Sequence, residues 1–237
     1  MEYEKIVTGK FIERPNRFVA RVEIEGKPET VHVKNTGRCR ELLQPGATVY
    51  LEDFRDRMGS RKMRYSLVAV DKETDSGIMT VNMDSQAPNK VALEAFREGR
   101  IVPPGMDELK VIKPETKFGD SRFDFYLEDI SGNRAFVEVK GVTLEFGGHA
   151  SFPDAPTERG ARHVRELIKA LEKGYKSYIL FVVQMRPIMD ICPNEEHDPV
   201  FAEALREAGR RGVGIMAYDC KVTADTLTIG EKVKVKL

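Results

Sequence analysis

Over the first 84 residues apolar and polar positions alternate in short runs, "KIVTGKFIE", "RFVARVEIEG", "ETVHVKN", "ATVYLED" and "YSLVAVD", rich in Val, Ile, Phe and Thr. A period of two predicts half-buried strands, and the breaks "RPN", "EGKP" and "QPG" predict the turns between them. Five such strands and one brief helical piece, "CRELL", predict a small closed or nearly closed barrel of the OB type over residues 1–84, with a sandwich as the alternative. After "MDSQAP" the period changes. In "NKVALEAFREGRI" Val91, Leu93, Ala95 and Phe96, with a Gly close behind, predict a short helix, so a second domain is expected over residues 85–237.

In that second stretch strands and helices alternate. "RFDFYLEDISGNRAFVEVKG" predicts a hairpin turning at "ISGN", with Phe123 and Phe125 on one face, Asp124 on the other, and Glu138 and Lys140 together opposite Val137 and Val139. "GGHASFPDAP" reads as a loop. Beyond it, "TERGARHVRELIKALEKG" spaces Val164, Leu167, Ile168 and Leu171 at i, i+3, i+4 and i+7, with Pro156 as a first-turn proline and Gly174 at the C-terminus. A buried strand "SYILFVVQ", a helix "DPVFAEALREAGRRG" starting at Asp198 and Pro199, and a strand "VGIMAYDC" complete the pattern. The expected class is α/β with an all-β N-terminal part, its second domain a mixed sheet flanked by helices on both faces.

The hairpin poses a chemical question, because two carboxylates on adjacent strands repel each other. A divalent hard cation resolves the repulsion, since magnesium takes oxygen ligands and needs only one or two protein carboxylates. Such a metal polarises a phosphoryl oxygen and acidifies a bound water, while a neighbouring lysine steadies the charge that grows on the phosphate. Asp124, Glu138 and Lys140 supply that minimal catalytic set, with magnesium or manganese as the expected cofactor. The same triplet also fits plain cross-strand ion pairs.

Charge changes the picture only locally. The 237 residues carry 38 basic against 38 acidic side chains, so a polyanion partner requires a patch. Residues 34–64 offer one, with Arg38, Arg40, Arg61 and Lys62 as candidate nucleic-acid contacts, and "NTG" (Asn35, Thr36, Gly37) as a turn whose amides face an anion. On the long helix Arg159, Arg162, His163, Arg165 and Lys169 lie off the apolar stripe, and Arg159 and Arg162 are candidate phosphate contacts, with Asp154 and Thr157 as caps. Ordinary solvated surface explains the same charges. The "NEEHD" loop reads as a solvated connection, and neither a Ser/His triad nor a sequence-reading DNA motif is found. Cys39, Cys192 and Cys220 are odd in number and unpaired in spacing, which with no signal peptide or membrane-length apolar run predicts a soluble cytoplasmic protein.

Strand, turn, strand with Glu-x-Lys, loop, amphipathic helix and buried strand resembles the PD-(D/E)XK nuclease superfamily, with Phe123 in place of the proline of the motif's name. That resemblance implies a further acidic ligand on the preceding helix, Glu94, and a polar group after the pair, Gln184; it implies a homodimer as an option, though no segment identifies a dimer face. More specifically, "FIERPNRFVARV", "VHVKNTGRCRELLQPGATVYLE", "VEVKGVTLE" and "FPDAPTERGARHVRELI" resemble the sugar fermentation stimulation protein A family over nearly the whole chain. The resemblance implies DNA binding without strong sequence preference and a part in regulating sugar use, notably maltose. It is silent on cleavage, so a nuclease and a non-catalytic DNA-binding regulator both stand.

Overall fold

The alternating runs form strands in the computed structural model of the chain, which describes residues 1–35 and 37–237; Thr36 of the expected anion-facing turn lies outside them. The N-terminal sheet comprises β1 (Ile6–Asn16), β2 (Val19–Ile24), β3 (Lys27–Val33), β4 (Thr48–Asp53), β5 (Tyr65–Thr74) and β6 (Gly77–Asn82) in the order β3-β2-β1-β4-β5-β6. β3 also pairs in parallel with β5, His32 opposite Ser66 and Val33 opposite Leu67, which closes five strands into an OB-type barrel. Period two explains the packing: along β2, Ala20, Val22 and Ile24 are buried while Arg21 and Glu23 face out. The β2–β3 turn places Glu25 and Gly26 at φ of 52° and 75°, as a two-residue hairpin requires.

Two features depart from expectation. "GIMTVN" forms a sixth strand, β6, beyond the five predicted. "CRELL" is a turn rather than a helical piece, because Cys39 adopts a left-handed φ of 45° and the Leu42 and Leu43 amides both return to its carbonyl.

The C-terminal part is the expected mixed sheet flanked by helices. Its strands are β7 (Leu109–Phe118), β8 (Ser121–Asp129), β9 (Arg134–Val142), β12 (Lys176–Val183), β14 (Gly214–Val222) and β15 (Leu227–Lys232), ordered β15-β14-β12-β9-β8-β7, with β9, β12 and β14 mutually parallel. Helix α1 (Ala87–Arg97) covers one face; α2 (Glu158–Glu172) and α3 (Pro199–Arg211) cover the other. A separate four-stranded sheet, β10 (Leu144–Phe146), β11 (His149–Phe152), β13 (Asp190–Pro193) and β16 (Lys234–Val235), replaces much of the expected "GGHASFPDAP" loop. No helix among the described residues is long and apolar enough to cross a membrane.

The caps fix the helices on that second face. Thr157 caps α2, its hydroxyl accepting from the Gly160 amide at 3.0 Å, so Pro156 precedes the cap instead of sitting in the first turn. Asp198 caps α3, accepting from the Phe201 amide at 2.9 Å, and its other oxygen accepts from the Thr157 amide at 2.7 Å. One carboxylate therefore ties together the starts of both helices.

Barrel and sheet are joined without a free linker. Residues 83–86 carry the Met83 amide to the Val68 carbonyl and the Asp84 and Gln86 amides to the side chains of Asn82 and Asp84. The apolar interior of the barrel and the α2–α3 side of the mixed sheet form one continuous cluster, while the α1 side forms a second.

Candidate active site

The antiparallel ladder between β8 and β9 runs from Glu128 opposite Arg134 to Phe125 opposite Val137. At the next position Asp124 uses its side chain where a ladder bond would fall: Oδ2 accepts from the Val139 amide at 2.7 Å, and Oδ1 accepts from Nδ2 of Asn89 on α1 at 2.8 Å. Alternation breaks at the same point. Phe125 packs edge-on against Phe96 on the α1 side, whereas Phe123 packs against Phe118 and Phe136 on the α2 side, so the two aromatic rings do not share a face as expected. Val137 and Val139 face α1, and Glu138 and Lys140 stand together on the other side.

Glu138 is 4% exposed and its two oxygens are treated very differently. Oε1 accepts from Lys140 Nζ at 2.7 Å and from His163 Nδ1 at 2.6 Å, while Oε2 is buried with no hydrogen-bond partner among the described residues. His163 is buried on α2, on the apolar side of the helix and not off it as its sequence position suggested. Its Nδ1 faces the Glu138 carboxylate at 2.6 Å, the geometry of an Nδ1–H donor, and its Nε2 lies 3.5 Å from Arg159 Nε.

These contacts set opposite electrostatic states on the two acids. Burial and the nearby Glu138 carboxylate push Asp124 up to about 6, against the Val139 amide, Asn89 and Lys140, which lower it. Burial acts to raise Glu138 as well, but His163 and Lys140 outweigh it and hold that carboxylate below its usual range. The pair thus combines an acid held below its usual range with one pushed up to about 6.

The donor set fits a hard divalent cation. A buried carboxylate oxygen without a partner is costly, by about 1–3 kcal/mol or more for a charged group, and an oxygen-seeking cation satisfies it while removing the acid–acid repulsion. Asp124 retains lone pairs beside its two accepted bonds. Among the described residues no third carboxylate, His or Cys converges with the pair as a metal cluster.

The remaining sequence candidates are spread around this cleft. Glu94 is not brought to the pair; its carboxylate lies 2.5 Å from the Met1 ammonium, and Asn89 is the α1 side chain that reaches Asp124. Gln184 is buried at the end of β12, its amide donating to the Asn82 Oδ1 at 2.9 Å and to the Asn82 and Asp84 carbonyls at 3.1 Å, and its side-chain oxygen lies against Gly141. Arg159 reaches the cleft through His163; Arg162 is exposed on the outer side of α2. Asp154 caps neither helix: burial raises it, and it lies against Gly37.

The basic patch is divided. Lys34 is held by Asp84 and Glu52, while Arg55, Arg57 and Arg64 pair with Asp53, Glu52 or Glu4. Arg61 stacks 3.7 Å from the Phe54 ring centre and donates to Ser66, leaving Lys62 exposed beside it. Arg38 and Arg40 are exposed and not ion-paired among the described residues.

His163 and Asn89 are the site residues that sequence reasoning missed. His163 falls four residues before Leu167, so it belongs to the buried stripe, and that spacing was the available signal. Asn89 carries no charge and gave none.

Residues 12–80 match the SfsA N-terminal OB domain and residues 86–226 match the sugar fermentation stimulation protein RE domain. A sugar fermentation stimulation protein homolog of Desulfitobacterium hafniense (strain Y51) is 51% identical over 240 residues, covering 100% of this chain and 99% of its own length. The homolog of Alkaliphilus oremlandii (strain OhILAs) is 48% identical over 238 residues, covering 99% and 98%. Among solved structures, Pyrococcus furiosus SfsA in complex with Ca2+ superposes with a TM-score of 0.85 at 30% identity, covering 100% of this chain and 98% of that one.

Proposed function

The chain belongs to the sugar fermentation stimulation protein family, and on that premise we propose that it binds DNA without strong sequence preference and hydrolyses phosphodiester bonds at the Asp124–Glu138–Lys140 cleft. The observation that carries the reading is the bare, buried Oε2 of Glu138 beside a second carboxylate that ionises near neutrality. Asp124 and Glu138 would hold magnesium or manganese. Support comes from the 30% identical relative that was solved with Ca2+, an ion sharing magnesium's preference for oxygen ligands.

Such an ion supplies a polarised phosphoryl oxygen and an acidified water. The chain's own groups do the rest. Lys140, 14% exposed, orients the attacking water and steadies the charge growing on the phosphate as the water oxygen bonds to phosphorus, the phosphorus–sugar oxygen bond breaks, and the departing sugar oxygen takes up a proton to replace the one the water gives up. His163 fixes the rotation of the Glu138 carboxylate by taking Oε1, which keeps Oε2 turned into the cleft. Arg159, behind His163, adds positive charge where the strand's phosphate would approach.

The test is a paired binding and cleavage assay on labelled single-stranded, duplex and branched DNA in magnesium, manganese and EDTA. Lys140→Ala is expected to lower cleavage by roughly 10²-fold or more while leaving affinity in EDTA within about twofold. Asp124→Ala should abolish metal-dependent cleavage. Binding with no cleavage in any metal would refute the enzymatic reading and favour the non-catalytic regulator of sugar use.

A further inference from the structure

Two cavities flank the Arg38–Arg40 loop. The larger, about 550 Å³, is walled by Leu144, Phe146 and Cys192 and bordered by Glu41; the second, about 420 Å³, lies against Phe11 and Ile12 of the barrel. Arg38 and Arg40 line both, so they form a cationic ridge between two hollows, the larger of which also carries Asp154, Glu195 and Glu196 on its lining. The ridge is held in place from below. Arg14 donates to the carbonyls of Asn35, Gly37, Arg38 and Arg17 at 2.6, 2.7, 2.8 and 2.7 Å.

We propose that this ridge and its hollows bind an unpaired stretch of DNA strand, with phosphates on Arg38 and Arg40 and unstacked bases turned into the cavities. The proposal rests on the DNA-binding reading above and specifies which form of DNA it concerns. Three observations point to this ligand.

First, the two arginines are not ion-paired among the described residues, while Lys34, Arg55, Arg57 and Arg64 of the same stretch are held by acids. Second, Phe146 in the wall of the larger cavity is 63% exposed, offering a ring for a base to stack on. Third, Glu41 has a buried carboxylate oxygen without a hydrogen-bond partner, an acceptor suited to the N–H groups on a base edge. In a duplex those faces and edges are already stacked and paired, so only an unpaired strand can offer both.

Position agrees with the cleft. Leu144, in the wall of the larger cavity, follows Lys140 by four residues, at most about 14 Å of extended chain. The wall of the larger cavity is therefore a short continuation of the strand that carries Glu138 and Lys140.

The experiment measures fluorescence anisotropy of the full chain in EDTA with a labelled oligonucleotide of about 15 nucleotides, as a single strand, as a duplex, and as a strand of abasic sites. The single strand is expected to bind at least about tenfold more tightly than either of the others. Phe146→Ala should weaken the single strand about tenfold and leave the abasic strand unchanged. Replacing both Arg38 and Arg40 by Ala should weaken both strands and reduce the salt slope by roughly 1.4, as loss of two single-strand phosphate contacts requires. Equal affinity for single strand and duplex, or for normal and abasic strands, overturns the proposal. Duplex DNA bound and cut as well as single strands would sink the ridge and leave the hydrolytic site standing, whereas no binding to any DNA would sink both.

Discussion

Asp124 trades stability for charge. Its carboxyl rises from an ordinary 3.8 to about 6 in the folded chain, so below pH 3.8 it is protonated in both states and costs nothing. As pH climbs toward 6 the unfolded chain releases its proton first, and stability is lost until, above about 6, the folded state carries the full penalty of about 3 kcal/mol. Asp124→Asn keeps an acceptor for the Val139 amide and removes that penalty. It should raise Tm at pH 7.5 by roughly 3–10 °C, with the gain vanishing near pH 4, while cleavage is lost. Thermal melts across pH 4–8 check the sign, and an unchanged Tm at pH 7.5 would show that the acid is not strained. The acids and the lysine were readable in the sequence because strand alternation puts Glu138 and Lys140 on one face whatever the tertiary fold. His163 and Asn89 were not, because the role of each depends on which face of its helix meets the hairpin, and that is decided by long-range packing. The aromatic flip at Phe123 is the same lesson: it falls where the β8–β9 pairing ends at Phe125, although β7 goes on pairing with β8 as far as Ser121.

Among the secondary elements, long periodic segments were legible and short ones were not. The hairpin, α2, α3, β12 and β14 each carry enough turns or pleats for a period to show. Strands β10, β11, β13 and β16 have two to four residues each, too few for any period, and exist because they pair with one another. The α2–α3 pair depends on Asp198, whose two oxygens accept the Thr157 and Phe201 amides. Asp198→Ala leaves both amides without that acceptor and should cost about 2–4 kcal/mol, whereas Asp198→Asn, retaining one acceptor, should lose about half as much. Urea unfolding curves discriminate the two, and equal midpoints for parent and Asp198→Ala would refute the double cap. Because α2 carries His163, the alanine variant should also lose metal affinity more than its stability change alone explains.

For the molecule as a whole, the change of period after "MDSQAP" falls where strand β6 has ended at Asn82 and helix α1 begins at Ala87, yet composition gave no hint of how tightly the barrel and the α/β sheet are joined. Their cores merge, and Gln184 binds Asn82 and Asp84 across the junction while the Asn82 amide donates back to the Gln184 carbonyl at 2.9 Å. Asn82 continues the network to the Tyr3 hydroxyl at 3.0 Å. Calorimetry should therefore record one transition for the whole chain, and Gln184→Leu, which removes three buried hydrogen bonds across the junction while Asn82 Oδ1 and the Asp84 carbonyl keep the Asp84 and Ala87 amides, should lower its midpoint by the equivalent of about 1–3 kcal/mol. Two resolved transitions in the parent would contradict the shared core.

The short, fully bonded connection at 83–86 has a geometric consequence. With a shared core and a connection held by the Met83, Asp84 and Gln86 amides, the offset from the Arg38–Arg40 ridge to the Asp124–Glu138 pair is expected to stay fixed. On the proposed reading, a strand gripped at one would be presented to the other at a set distance, as on a ruler: fragments released from an anchored end would share a single length instead of forming a ladder.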